Sequence, residues 1–544
     1  MKRLQIAKHL NFRTRENDVP NPPPAQEDLP RSAPSAPSVP GPVGEGELGE
    51  PGELSWRLED NYDVLTAKWQ NCADVFFRRL TAGGTELLLV WVHTLVGKEM
   101  AQDGIVEPLT QTQKGLTSID DLGQVLTAVQ TVKLKTFVQV MQAIADGSLI
   151  LFMDGVNEAM SVDVSGLQGR PIQKPELEPG VLGPQEAFTE SLDKNLGLMR
   201  RRLKSPEMKI KSLRLGTISS SQLSVLYVDG IVKPQLVQEV EARLAKIQVD
   251  GLLDINYISE FTRDAIRSPY PTDQVTERPD RTAAALLQGR VAILLDGSPY
   301  AQLIPALFVH FLNSSEDYYG SYTLSLPVRL LRHFVFWMSL LLPSLYIALL
   351  SYHQEMIPTA LLIRLAATHE GIPFPAVVEA FIMVTTFEAL REAGIRLPKA
   401  VGQSVSIVGA LVIGDAAVNA GIVSPGMVIA VALTGVASFA IPSYSIALTN
   451  RILQYPFMVL AGMFGLYGMT IGLILLLTHL VSLRSYGTPY LYPLAPWDWQ
   501  AIRQDVFARS AWWDMKKRAK GLETVSKTRG QTAKPQPTGG GSSG

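Results

Sequence analysis

Apolar positions fall into two regimes along this chain. Upstream of about residue 325 they form short runs between frequent charges, whereas from Arg332 to Leu483 the runs are long. The short runs, rich in β-branched residues, read as strands buried on both faces. They come in pairs. Gly147–Gly155 reads GSLILFMDG and Gly289–Gly297 reads GRVAILLDG, each a glycine, a mostly apolar run, then Asp-Gly. Upstream of these lie ELLLVWVHTLV (Glu86–Val96) and QLSVLYVDGIV (Gln222–Val232), at similar separations. Helical stretches are predicted at Val125–Ala145 and Pro234–Ile247. The pattern therefore predicts a duplicated α/β region, with subdomains at 55–165 and 175–320.

The downstream half predicts membrane helices, since about 20 apolar residues cross ~30 Å of hydrocarbon. Four segments qualify: His333–Tyr352, Gln403–Val423, Met427–Ala447 and Phe457–Leu483. Among them only Asp415 is charged. A fifth, Pro373–Leu390, carries Glu379 and Glu388, and Met356–Thr368, with Pro358 and Arg364, reads as interfacial. Charge sidedness pulls two ways. With the N-terminal half inside, five spans keep Arg391, Arg396, Lys399 and Arg451 inside but export the basic tail (Arg484, Lys516, Lys517, Arg518). Four spans return the tail and export Arg451. Short loops weigh more, which favours five.

Composition narrows the function classes. The chain has 544 residues, a net charge of −2 and 18% charged residues, against ~25% in an average soluble domain. No basic field exists to hold nucleic acid. The single cysteine, Cys72, excludes an intrachain disulfide and any zinc site needing several thiolates. MKRLQIAKHLNFR lacks the unbroken apolar core of a secretory signal. Ten prolines between Pro20 and Pro51 mark residues 1–54 as a disordered arm. Residues 485–544 form a polar tail whose closing GGGSSG (Gly539–Gly544) has the composition of a cloning scar, and no function rests on it.

Catalytic patterns are scarce. No GxxxxGK[ST], GxSxG or HExxH is present, the seven histidines form no ligand pair at helical spacing, and the reading is of a non-enzyme with no catalytic residue, cofactor or metal. His353 and His369 read as wetted residues flanking a loop. The informative polar groups lie in the apolar half. Asp415 and Asn419, four apart, share a helix face and are candidates to line a pore or face a partner helix, or else to make a buried interhelical hydrogen bond. Glu379 and Glu388 sit nine apart, on opposite helix sides. Glu388 has Arg391 nearby, while Glu379 has no local cation and is the stronger candidate for a functional carboxylate. Gly402, Gly409, Gly414 and Gly421, then Gly462, Gly465, Gly468 and Gly472, suit close helix packing. Pro442 predicts a kink in its span.

A family resemblance emerges from an ordered set of motifs. GPQEAFTE (Gly183–Glu190), RRRLK (Arg200–Lys204), TERPD (Thr276–Asp280), GRVAILLDG (Gly289–Gly297) and EDYY (Glu316–Tyr319) are followed by GIPFPAVVEA (Gly371–Ala380), REAGIRLP (Arg391–Pro398), SIVGALVIGDAAVNAGIVSP (Ser406–Pro425) and YGTPYLYPLAP (Tyr486–Pro496). Together they span roughly residues 140–500 and resemble GerA-type spore germination proteins, the A subunits of germinant receptors. Gln185 departs from the family's usual Arg, and the arm before Trp56 is richer in proline than the family needs.

The resemblance implies a soluble α/β N-terminal region of two similar subdomains. An all-α transmembrane bundle of four or five helices would follow at 330–484. It implies a place in the bacterial endospore inner membrane, with the N-terminal domain cytoplasmic. Its partners would be a transporter-like B subunit, a lipoprotein C subunit and copies of itself, in a ring that is a pentamer by the family's example. That ring would be a nutrient-gated channel for monovalent cations. Three alternatives stand beside it: an accessory paralogue serving ion and dipicolinate release, a secondary transporter, and a non-conducting receptor scaffold.

Overall fold

The computed structural model describes residues 52–126, 130–164, 174–397, 414–502 and 506. The Pro-rich arm up to Pro51, residues 403–413 of the Gln403–Val423 segment and most of the polar tail lie outside them.

The N-terminal half holds two five-stranded antiparallel sheets. The first is built from β1 (Val75–Ala82), β2 (Thr85–Val92), β3 (Thr131–Leu134), β4 (Leu149–Met153) and β5 (Ala159–Val162), in the order β1-β2-β4-β5-β3. The second uses β6 (Met208–Leu215), β7 (Ser221–Val228), β8 (Gln274–Thr276), β9 (Val291–Leu295) and β10 (Ala301–Ile304), in the order β6-β7-β9-β10-β8. The two orders are the same sequence of roles. The paired motifs are β2 with β4 and β7 with β9, adjacent inner strands of each sheet. Every residue of β4 and β9 is buried. Side chains alternate between faces along a strand. Leu149, Leu151 and Met153 therefore join one core, while Ile150 and Phe152 join the core on the opposite face.

Detailed contacts repeat as well. The Asp154 carboxylate accepts from the Leu58 N–H at the start of α1 (Leu58–Lys68), at 3.1 Å. Asp296 accepts from the Leu192 N–H at the start of α2 (Leu192–Arg202), also at 3.1 Å. Gly155 N–H donates to Trp56 O and Gly297 N–H to Glu190 O. Asn61 and Asn195 each brace the loop before their helix by accepting from and donating to one backbone unit. The Asp-Gly that follows β4 and the one that follows β9 each thus anchor the helix that begins their own half.

One expected helix divides. Within Val125–Ala145 the chain forms β3 and then a helix, Phe137–Asp146, opened by a Thr136–Gln139 capping box and closed by Gly147. Strong capping at Thr136 sets that start, and the preceding TVKL pairs with β5 at the sheet edge. The helix expected at Pro234–Ile247 runs Pro234–Leu244.

The C-terminal half is helical: α3 (Tyr322–Ser351), α4 (Thr359–His369), α5 (Ala376–Arg396), a helical segment at 414–419, α6 (Pro425–Phe439) and α7 (Tyr444–Ser482). By length and composition, α3 and α7 are apolar enough to cross a membrane. The expected span Met427–Ala447 is broken. Helix α6 ends at Phe439, before Pro442, and its 15 residues reach only about 22 Å.

Helix α7 is not straight, and the expected span Phe457–Leu483 folds back on itself. Gly465 has φ 60° and ψ −139°, a backbone conformation natural only to glycine. A Cβ on Gly472 would lie 3.0 Å from the Phe457 ring, fifteen residues earlier. Thr449 Oγ1 donates to Pro269 O at 2.7 Å, and His479 Nε2 lies 2.9 Å from Ser268 Oγ. Residues thirty apart therefore touch neighbouring residues of one loop, so α7 is a helical hairpin with its tip at Gly465. Its arms, of about 21 and 17 residues, are roughly 31 and 25 Å long. The tip meets Tyr352 and His353, at the far end of α3 from the sheets.

The second arm returns to the α/β region. Ser485 Oγ donates to Thr272 O and accepts from Ala306 N–H, and Phe308 N–H donates to Tyr490 O. Residues 484–502 thus lie on the side of the sheets. The turn at Gly465 reverses the chain inside one apolar run, a feature that hydropathy alone cannot register.

Candidate functional site

Among the candidate residues, Glu379 is the one sealed inside the bundle. It lies in the first turn of α5 with a fully buried side chain. Its Oε2 accepts from the Ser424 N–H at 2.8 Å. Ser424 is the N-cap of α6, its own hydroxyl accepting from Met427 N–H. A carboxyl group at a helix N-terminus faces unsatisfied N–H groups and the positive end of the helix dipole, both favourable to it. The other oxygen, Oε1, has His369 Nδ1 at 3.2 Å. His369 Nε2 lies 3.5 Å from the Tyr346 hydroxyl, which lies 3.4 Å from Ser424 Oγ. Tyr346, His369, Glu379 and Ser424 therefore form a small polar cage joining α3, α4, α5 and α6. Gly426 makes room for it, since a Cβ there would sit 2.3 Å from the Tyr346 oxygen.

His369 corrects the sequence-based expectation. It is half-buried against Glu379, not simply wetted at a loop, and it supplies the basic partner that the local sequence lacks. His353 lies apart, beside the hairpin tip and 5.9 Å from the Tyr467 ring.

Glu388, two and a half turns along α5, belongs to a separate cluster at the end near the sheets. Its Oε1 is 3.2 Å from Arg391 Nη1, and its Oε2 is 3.7 Å from Arg451 Nη1. Arg391 also donates to Ser438 Oγ and lies over the rings of Phe387 and Phe439. The cluster ties α5, α6 and the first arm of α7 together. Arg451, sixty-three residues from Glu388 in sequence, could not have been paired with it from spacing.

Asp415 and Asn419 lie on the helical segment 414–419 and are both exposed. They point away from the bundle core, so the structure does not bring them to Glu379. Four polar positions thus divide into three places: a sealed cage, an ion-paired clamp and an outward face.

Between sheets and bundle lies a fourth set of charges. The Asp317 carboxylate receives Arg329 Nε at 3.0 Å and Arg332 Nη1 at 2.8 Å, all three buried. Burial pushes the Asp317 carboxyl up, but hydrogen bonds from Arg332 and the charges of Arg332 and Arg329 outweigh it and hold it below the ordinary range. The first turns of α3 are thereby pinned to the segment leaving the second sheet. Sequence spacing gave no signal for this triad beyond EDYY itself. Among the described residues no group of side chains could hold a metal ion.

Comparison with known proteins adds to this picture. A family model described as Bacillus/Clostridium GerA spore germination protein matches residues 63–521. Spore germination protein KA of Bacillus subtilis is 40% identical over 90% of this chain and 91% of its own length. GerLA, a spore germination protein of Bacillus cereus, is 38% identical over 83% of this chain and 88% of its own. The membrane protein YfkQ of B. subtilis is 41% identical over 86% of this chain and 91% of its own. The crystal structure of the N-terminal domain of the A subunit of the Bacillus megaterium spore germinant receptor GerK3 aligns with 48% of this chain and 99% of its own, at 26% identity and a TM-score of 0.39.

Proposed function

The chain belongs to the GerA family of spore germination proteins, and we propose that it is the A subunit of a germinant receptor that assembles copies of itself into a nutrient-gated cation channel. Its partners in this reading are a transporter-like B subunit and a lipoprotein C subunit, and its place is the spore inner membrane. The relative YfkQ, a membrane protein, and the apolar helices α3 and α7 support the membrane setting.

The hairpin supports a cytoplasmic N-terminal half. It leaves Arg391, Arg451 and Arg484 all at the end of the bundle nearest the sheets, with Arg364 toward the other. That asymmetry is the positive-inside pattern. In this reading Arg451 and the start of the tail share a side, so both count toward the cytoplasmic face.

The placement of Asp415 and Asn419 carries the conducting part of the proposal. Both are exposed on one helix face in the apolar half. An ionised side chain facing hydrocarbon costs several kcal/mol. Facing water or a second copy across a ring avoids that cost and gives cations a favourable path. Glu379 takes a different role in this reading. Sealed in its cage, it holds the α5–α6 junction in one arrangement, and nutrient binding on a partner shifts the equilibrium between closed and open arrangements.

Potassium release from spores after nutrient addition tests both roles. Asp415→Asn is expected to slow release several-fold with assembly intact. Glu379→Gln is expected to alter the nutrient dependence of release. Unchanged release in both variants would refute the channel reading.

A further inference from the structure

A cavity of about 680 Å³ opens in the second half, between β8, the helix Pro279–Leu287 and residues 310–319. Its volume is that of a small-molecule site. It lies at the β8 edge of its sheet, opposite the β6 edge that meets the first half.

The charge on its lining is unbalanced. Arg290 lines the cavity and is 3% exposed. Its guanidinium donates to Gln274 Oε1 at 3.0 Å and to Leu303 O at 3.2 Å, both neutral, and its Nε has no partner. Among the described residues no carboxylate approaches it within ion-pair distance. Among the described residues the other buried arginines are treated differently: Arg200 has Asp74, Arg278 has Asp280, and Arg329 and Arg332 share Asp317. A buried cation without a counter-ion is costly. Burial, with Arg281 adding to it, pushes the Arg290 pKa down to about 9.

No neighbour on the lining supplies the missing charge. Both oxygens of Asp280 are taken by Arg278, and Oδ2 also accepts from the Tyr319 hydroxyl. Arg281 pairs with Glu178 and donates to the carbonyls of His310 and Asn313. His310 Nδ1 accepts from the Leu307 N–H, which leaves the Nε2 of the neutral ring as a donor. The His310 pKa is lowered by burial and by the charges of Arg290 and Arg281, so the ring stays neutral at physiological pH. The cavity therefore offers a cation and hydrogen-bond donors.

We propose that this cavity binds a small organic carboxylate, with Arg290 as its counter-ion. Its wall, residues 313–319, also carries Asp317, the anchor of α3, so occupancy acts on the segment that feeds the first long helix. The proposal stands apart from the channel reading, since a non-conducting protein would bind the same ligand.

The test is calorimetric titration of the full-length detergent-solubilised protein with acetate, succinate and citrate at constant ionic strength, with inorganic phosphate and phosphatidylglycerol micelles as separate arms. Saturable binding of at least one carboxylate is expected, weakened at least tenfold in Arg290→Gln. Gln274→Glu, which places a carboxylate on Arg290 from within, is expected to stay folded and to lose binding as well. No saturable carboxylate binding to the wild type, binding of phosphate or lipid in its place, or carboxylate binding unchanged in Gln274→Glu would each overturn the assignment.

Discussion

Arg200, in the first helix of the second half, grips Asp74, just before the first strand of the first half. Nε meets Oδ2 at 2.7 Å and Nη2 meets Oδ1 at 2.8 Å, with both side chains 1% exposed. The guanidinium also lies 5.3 Å from the Trp69 ring. Breaking such a buried pair from one side leaves the other charge stranded, at about 3–5 kcal/mol. Asp74→Asn and Arg200→Met are each expected to lower stability by that order in urea unfolding of the solubilised chain. The double variant is expected to lose less than the two effects combined. Additive losses would show that the pair does not join the halves.

Cys72 reports on the same seam. It is buried, and its backbone bridges to Ile210 of the second half. Burial pushes its thiol pKa up, outweighing the lowering by Arg200. Little thiolate forms at neutral pH, so alkylation by iodoacetamide is expected to be slow in the native protein. Asp74→Asn is expected to speed it at least several-fold. Because the chain has one cysteine, mass spectrometry reads this rate without ambiguity.

The hairpin predicts a sharp asymmetry between two glycines. At Gly465 the positive φ costs an L-residue of order 1–3 kcal/mol, and a methyl would sit 2.8 Å from both Tyr352 Cβ and His353 Cε1. Gly465→Ala is expected to lower the thermal midpoint and the yield of folded protein. Gly371→Ala, where a methyl meets nothing within 4 Å, is expected to change neither.

Acid stability depends on two carboxylates of the α/β region and its junction with the bundle. Asp317 and Asp280 are each pushed up by burial but held below the ordinary range by arginines, with Tyr319 assisting at Asp280. A carboxyl whose folded pKa is depressed contributes stability above its unfolded pKa of ~3.9 and loses it as pH falls through the folded value. These two groups are therefore expected to add no slope between pH 7 and about 5, and a fall below ~3.9. In Asp317→Asn the protein should be weaker at neutral pH and its acid decline shallower.

Much of the α/β half was legible because its signals are local. A run such as LILFM declares a doubly buried strand, and Asp-Gly at a fixed offset declared the repeat. The edge strand TVKL was not legible, since four residues at a sheet margin carry no burial pattern. In the helical half, hydropathy marked apolar mass but not direction. Gly465 looked like one of several packing glycines, and only its backbone conformation makes it a reversal. The split between Glu379 and Glu388 followed from helix geometry. Their partners His369 and Arg451 did not, because each comes from another helix at a separation that no period encodes.

The reversal at Gly465 also sets where messages can be exchanged. Because the last arm delivers residues 484–502 back beside Thr272 and Phe308, whatever docks on those residues sits next door to the second sheet. A conversation between those two regions needs no relay through the apolar layer.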